Sequence, residues 1–276
     1  MISLQFSTVA DTPAEQIGAV TADLLQLAQL RAENARFERD LQMAADIQRA
    51  LLPAPRYVGS TFDLAAASAA CRTVGGDFFD YVELADRSFG FVLCDVERKG
   101  LAAALLTTVV QSIFAAHASR AGGPAKTVAR VNDGLLRRAI GGRFATMFYG
   151  VLSADGRLSY CNAGHEPPVL IGHDGVQLLQ AGGLVLGLFE HADYEAGAVQ
   201  LTQDDVLVVC SDGCTEAHSP EDEEFGRERL VASISACRGV EPQAVLEWLF
   251  ECLNLFTAGS PQFDDVTALV LRYRGR

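Results

Sequence analysis

The sequence predicts an α+β protein in which two β-sheets pack on each other beneath flanking helices. Short strand-like apolar runs come in groups, and the helical stretches are segregated between those groups. With 276 residues, 49% apolar and 21% charged, the chain has the material for one large core. A long helical pattern precedes this block and divides the chain into a helical segment, 1–52, and a main domain, 53–276.

Ile2, Leu4 and Phe6 alternate like a short strand, a pattern of little weight at a terminus. Over 12–52 the period is helical. Thr12-Pro13-Ala14-Glu15 has the form of a capped start, and Ile17, Val20, Leu24 and Leu27 follow at steps of three and four. The stripe continues through Leu30, Asn34, Phe37, Leu41, Ala44, Gln48 and Leu51 until Pro53 ends it. Asn34 at an inward heptad position would fix the register of a helix pair. Such a stripe fits a helix packed on its own domain or one that pairs with another chain. The expectation carried forward is a dimerising helix, hence a homodimer.

Beyond Pro53, strands are expected over 62–70, 78–84 and 89–93, then helices over 101–118 and 124–140, the second with Pro124 in its first turn. Segments 147–152 and 158–162, joined by Ala154-Asp155-Gly156, read as a hairpin. Further strands are expected over 169–171, 176–179, 198–201 and 206–211. Helices over 227–237 and 242–256 precede a last strand over 266–271.

Carboxylates gather at the strand borders. Asp77 precedes one strand and Asp95 follows the next, so antiparallel pairing brings the two together. Gly75 and Gly76 allow close backbone approach just before Asp77, and Gly100 opens the apolar helix after Asp95. Two carboxylates about 4 Å apart repel by about 4 kcal/mol at an effective dielectric near 20, a cost that a divalent cation removes. On this stretch alone, strand ends capped in solvent are the plainer reading. The C-terminal half adds weight: the run 206–211 stops at Asp212-Gly213, and Asp264-Asp265 stands directly before the last strand. Oxygen donors of this kind suit magnesium or manganese.

A net charge of −13 disfavours nucleic acid and anionic membranes as partners and leaves a protein or a metal-bridged phosphate easier to accommodate. With no run of 18 apolar residues and no basic, hydrophobic leader, the expected location is the cytoplasm. The seven cysteines contain no Cys-x-x-Cys pair and read as reduced thiols, several of them in apolar strand patterns. Cys210, Cys214 and His218 recur at intervals of four, but they span a strand and a loop and offer only three ligands, so zinc is set aside.

Six blocks, in order, are Val74-Gly-Gly-Asp-Phe-Phe-Asp80, Asp95-Val-x-x-Lys-Gly100, Phe144-Ala-Thr-Met-Phe-Tyr-Gly150, Asn162-Ala-Gly-His-Glu-Pro-Pro168, Ser211-Asp-Gly-Cys-Thr-Glu-Ala217 and Asp264-Asp-Val-Thr267. Together they resemble the SpoIIE/RsbU-type bacterial branch of the metal-dependent, protein phosphatase 2C-like serine/threonine phosphatases, over about 47–271. The resemblance implies a four-layer α/β/β/α sandwich with its metal site at one end of the sheets. It also implies hydrolysis of phosphoserine or phosphothreonine by water activated between two divalent cations, Mn2+ or Mg2+. Such monoesters hydrolyse very slowly unaided, and a metal pair both generates hydroxide and neutralises charge. No Gly-x-Ser-x-Gly nucleophile motif is present.

By the same resemblance Asp77 and Asp95 bridge or flank the metals, the Val96 carbonyl adds a ligand, and Asp212 and Asp264 complete the set. Arg72 would grip the substrate phosphate as a fork. A surface charge at a strand end explains Arg72 equally well from the residues alone. Gly76, Asp80, Glu97, Gly213 and Asp265 are expected around the ligands, Asp80 and Asp265 behind them or in turns. Asn162, Gly164 and His165 are expected to shape a loop. The implied substrate is a small phosphorylated regulator such as an anti-sigma factor antagonist with a STAS fold. Residues 41–53 resemble the helical linker through which an upstream regulator acts on such domains.

One block departs from the family pattern. Relatives read Gly-Asp-Val-Ser-Gly-Lys/His-Gly where this chain reads Cys94-Asp-Val-Glu-Arg-Lys-Gly100, with bulk and charge in place of small residues. An active enzyme is expected because all four aspartates are present. The competing reading is a catalytically weak scaffold that binds a phosphorylated regulator or its kinase. A metal-dependent nuclease uses similar carboxylates, but the acidic surface opposes its substrate.

Overall fold

In the computed structural model, residues 13–119, 121–138 and 142–275 are described. The Ile2, Leu4 and Phe6 pattern, Thr12 and the expected helix end at Ile140 lie outside them. In chain order the elements are α1 (Pro13–Leu51), β1 (Arg56–Val58), β2 (Phe62–Ala69), β3 (Phe78–Glu83), β4 (Phe89–Val96), α2 (Leu101–Ala118), α3 (Gly123–Leu136), β5 (Ala145–Leu152), β6 (Arg157–Ala163), β7 (Val169–Gly172), β8 (Gly175–Leu178) and β9 (Gly182–Gly183). They continue with β10 (Gly197–Gln200), β11 (Val206–Cys210), α4 (Asp212–Thr215), α5 (Gly226–Ile234), α6 (Pro242–Thr257) and β12 (Val266–Tyr273).

The strands form two six-stranded sheets. One has the order β1-β2-β12-β11-β7-β8; the other has β10-β6-β5-β4-β3, with β9 beside β6. Continuous apolar runs follow from burial of both sheet faces. Along β4, Phe91 and Leu93 point between the sheets, where Phe79, Phe148, Leu207, Val209, Leu269 and Leu271 meet them. Val92 and Cys94 point the other way, onto Val110 and Phe114 of α2 and Val128 and Val131 of α3. The far sheet repeats this with Val208 and Val270 packed under Leu246 and Leu249 of α6. Two sheets flanked by helices thus build the predicted α/β/β/α layering. The Asp-Gly hairpin between β5 and β6 also forms, with Gly156 at φ 85°.

Several boundaries differ from expectation. β4 extends through Asp95 to Val96, because β5 supplies partners as far as Thr146 and Ala145. β1, β9 and the single turn α4 had no signal in the sequence, being too short to display a period. α2 corrects the reading of hydropathy: its 18 residues average 1.6, long and apolar enough to cross a membrane by composition. Thr, Gln and Ser interrupt the apolar run letter by letter without lowering the average much. In the fold this helix buries Ala103, Leu106, Val110 and Phe114 against the sheet, as a core helix does.

The chain divides into two compact units, Met1–Ala44 and Ala45–Arg276. Residues 45–52 therefore belong with the sandwich rather than with the helical segment. Ala45 is buried there, and Gln48 exchanges two hydrogen bonds with Gly75, donating to its carbonyl (2.7 Å) and accepting from its N–H (3.0 Å). In the first unit Leu24, Leu27, Leu30 and Phe37 of α1 are exposed.

Candidate active site

The register of β3 on β4 sets Phe78 opposite Cys94 and so places Asp77 beside Asp95 at one end of their sheet. The facing sheet contributes from two places. β11 ends at Cys210, Ser211 leads into α4, and Asp212 becomes the first residue of that turn. Asp264 stands two residues before β12. Oxygens of Asp212, Asp264 and Glu216 lie within 4.8 Å of one another, an arrangement able to hold a cation.

Proximity of so many acids shows in their proton affinities. Burial, then the charge of Asp95, raises Asp77 well above the usual carboxylate range. Asp95 is pushed up to about 7 by burial and by the charge of Asp212, and Asp212 to about 6 by burial, Glu216 and Asp264. Asp95 thus lies near Asp77, Asp212 and Asp264, and Asp212 near Asp264, acids drawn from both sheets.

The backbone around them is held tightly. A Cβ on Gly76 would sit 2.8 Å from the Val96 carbonyl oxygen, and one on Gly213 would sit 2.0 Å from that of Asp265, so only glycine fits either place. The Gly76 carbonyl accepts the Val96 N–H (3.3 Å) and the Thr107 hydroxyl (2.7 Å). Asp265, 3% exposed, accepts the N–H groups of Cys71 (2.7 Å) and Gly76, tying the loop before Asp77 to the start of β12. Ser211 donates its hydroxyl to the Asp265 carbonyl (3.2 Å) and accepts the Thr267 N–H (3.0 Å). The hydroxyls of Ser211 and Thr267 also favour the charged form of Asp77.

Asp77 Oδ2 is buried with no hydrogen-bond partner. Buried polar atoms are almost always satisfied, so an orphaned carboxylate oxygen amid three other acids is an environment that suits a hard cation. The donor set fits a magnesium- or manganese-type centre.

The remaining predicted residues take varied places. Arg72 lies in an irregular stretch after β2, its Nη1 3.4 Å from where a Cβ on Gly100 would stand, at the start of α2. Asp80 lies inside β3 and not in a turn; it accepts from the Tyr81 N–H (2.8 Å) and from Gln111 of α2 (3.4 Å). Glu97 faces Arg98 at 3.7 Å. His165 is buried, with Nδ1 2.7 Å from the Thr146 hydroxyl, and burial lowers its pKa to about 4. Cys210 and Cys214 pack into the core and form no metal-binding group with His218 among the described residues.

Two residues beside the aspartates were not singled out from the sequence. Glu216 reaches Asp212 because α4 winds the chain between them, its N–H bonding to the Asp212 carbonyl at 2.7 Å. Lys99 meets Asp264 across the fold at 2.8 Å. Both stand inside blocks that carry the family resemblance, but nothing in those blocks showed that they would meet the aspartates.

The family model described as Stage II sporulation protein E (SpoIIE) matches residues 85–274. Protein IcfG of Synechocystis sp. is 27% identical over 84% of this chain, and phosphoserine phosphatase RsbU of Bacillus subtilis is 26% identical over 88%. The chain spans 41% of IcfG and 72% of RsbU. Among solved structures, the SiaA-PP2C domain of Pseudomonas aeruginosa has a TM-score of 0.76 at 20% identity, covering 88% of this chain and 99% of that one. The PP2C phosphatase domain of SpoIIE from Bacillus subtilis, solved with a fragment of its regulatory domain, has a TM-score of 0.68 at 22% identity, covering 78% and 64%. The family model covers most of the chain and the solved structures share its architecture, so the chain belongs to the SpoIIE family and has the PP2C fold.

Proposed function

We propose that this chain is a metal-dependent phosphoprotein phosphatase acting on phosphoserine or phosphothreonine. The observation that carries the reading is the convergence of Asp77, Asp95, Asp212 and Asp264, with one buried oxygen of Asp77 left unpartnered. These side chains and the Val96 carbonyl would hold two divalent cations, Mn2+ or Mg2+. Bound there, the metals would supply a water acidic enough to be hydroxide near neutral pH and would neutralise charge on the phosphoryl oxygens. The chain's own residues keep the acids in place: Asp265 pins the Gly76 loop, and Ser211 and Thr267 support Asp77. Arg72 at the rim would take the substrate phosphate as a fork. RsbX, solved in complex with magnesium, shares the fold at a TM-score of 0.58 and 13% identity.

The name of RsbU, phosphoserine phosphatase, supports a phosphoprotein substrate. A small cytoplasmic regulator of the anti-sigma factor antagonist type, with a STAS fold, fits best. The exposed apolar residues of α1 support a homodimer through its turns before Ala45, with the last turns of α1 as the linker that an upstream regulator acts on.

Release of p-nitrophenol from its phosphate ester tests the hydrolase. Activity is expected with Mn2+ or Mg2+, absent with chelator, and reduced about a hundredfold or more in Asp212→Asn, since losing a direct ligand exceeds the effect of losing an outer partner. Turnover indifferent to chelator, or undiminished in Asp212→Asn, overturns the reading.

A further inference from the structure

Of the four clustered aspartates, only Asp264 forms an ion pair among the described residues. Lys99 Nζ stands 2.8 Å from Asp264 Oδ2, with the two side chains 29% and 28% exposed. The same ammonium donates to the carbonyl of Phe263. Asp264 Oδ1 accepts the N–H of Asp265 at 2.8 Å, so both of its oxygens are engaged, whereas Asp77 Oδ2 has no partner.

This is no freely waving surface lysine. Arg98 at φ 78° and Gly100 at φ 82° turn the chain sharply on either side of Lys99. Across from it, Gln262 donates to the carbonyls of Asp264 (2.7 Å) and Ala69 (2.8 Å), which holds the receiving segment still. A charge-assisted hydrogen bond between partly buried groups is among the stronger polar contacts. An incoming divalent ion that takes Asp264 Oδ2 competes with it directly.

We propose that Lys99 is a resident counter-cation of the site, which the divalent metal must displace from Asp264, so that Lys99 sets how tightly the site binds metal. The inference rests on the reading of Asp264 as a metal ligand. It explains how four acids coexist before loading: one of them is already neutralised. It also lowers the apparent metal affinity by a constant factor relative to four bare carboxylates, because each binding event must first break the ion pair.

The test is calorimetric titration of the full chain with Mn2+ alone, comparing wild type, Lys99→Met, Lys99→Gln, Lys99→Arg and Asp212→Asn, with folding of each checked by circular dichroism. Lys99→Met and Lys99→Gln are expected to bind Mn2+ about five- to tenfold more tightly, the scale of one such ion pair. Lys99→Arg, which keeps the charge, is expected to stay near wild type. Should wild type bind through Asp212 while both neutral variants bind with equal or weaker affinity, the role of Lys99 is overturned and the metal site stands. Should none of the chains bind Mn2+, the metal site falls, and the role of Lys99 with it. Tight binding in the neutral variants alone upholds the displacement.

Discussion

Arg98 adopts the left-handed backbone region, φ 78°. An L-residue with a Cβ costs roughly 1–2 kcal/mol there. Its side chain is 73% exposed, and its nearest carboxylate partner is Glu97 at 3.7 Å, a pair worth little in water. Arg98→Gly should therefore stabilise the protein by about 0.5–1 kcal/mol, the strain relieved less the extra freedom glycine has when unfolded. Urea unfolding reads this directly, and a net loss of stability would show that the arginine side chain makes a compensating contact. Arg98 thus takes the positive φ that glycine adopts most readily, and the chain turns there just before Lys99.

Among the elements, α1 has two parts of different character. Its end is joined to the sandwich by Ala45 and by the paired hydrogen bonds of Gln48 with Gly75, one residue from the Gly76 cradle and two from Asp77. Its earlier turns expose Leu24 at 61%, Leu30 at 50% and Phe37 at 60%. Apolar side chains in register along a helix are costly in water and are relieved by a second helix. Light scattering should find a dimer for the full chain and half that mass for Leu30→Glu/Phe37→Glu. Equal masses would remove dimerisation from the function of this segment. The period of the stripe was legible in the sequence, but the division of α1 after Ala44 was not, because it depends on which turns meet the sandwich.

For the molecule as a whole, the acid cluster makes stability depend on pH and metal together. Burial and neighbouring acids hold Asp95 and Asp212 at about 7 and about 6 in the folded chain, well above an ordinary aspartate. The folded chain thus binds these protons more tightly than the unfolded chain does. Their contribution to stability is full below about pH 4 and is lost as pH rises through about 6 to 7. In chelator, the unfolding temperature should fall between pH 5 and pH 8, and Asp95→Asn should flatten that fall; an unchanged slope in the variant would place the effect elsewhere. Manganese should reverse it, raising the unfolding temperature by about 5–10 °C at pH 8 when present at about 100 times its dissociation constant, and by less at pH 5. Scanning fluorimetry separates the two conditions.

Local rules sufficed for part of this protein. Apolar runs of period two, turn residues and helix stripes are written in neighbouring residues, so the longer strands, the longer helices and the acids at strand borders could be read before any fold was known. Asp77, Asp95, Asp212 and Asp264 belong to that class, each marked by an abrupt end to an apolar run. What tertiary structure alone decided is which borders coincide. The register of Phe78 on Cys94 and the packing of one sheet on the other bring the four acids together. The single turn α4 adds Glu216, and the bend at Arg98 carries Lys99 onto a segment 164 residues away at Phe263. Contacts of that kind depend on three-dimensional closure, and no local pattern of hydrophobicity or charge encodes them.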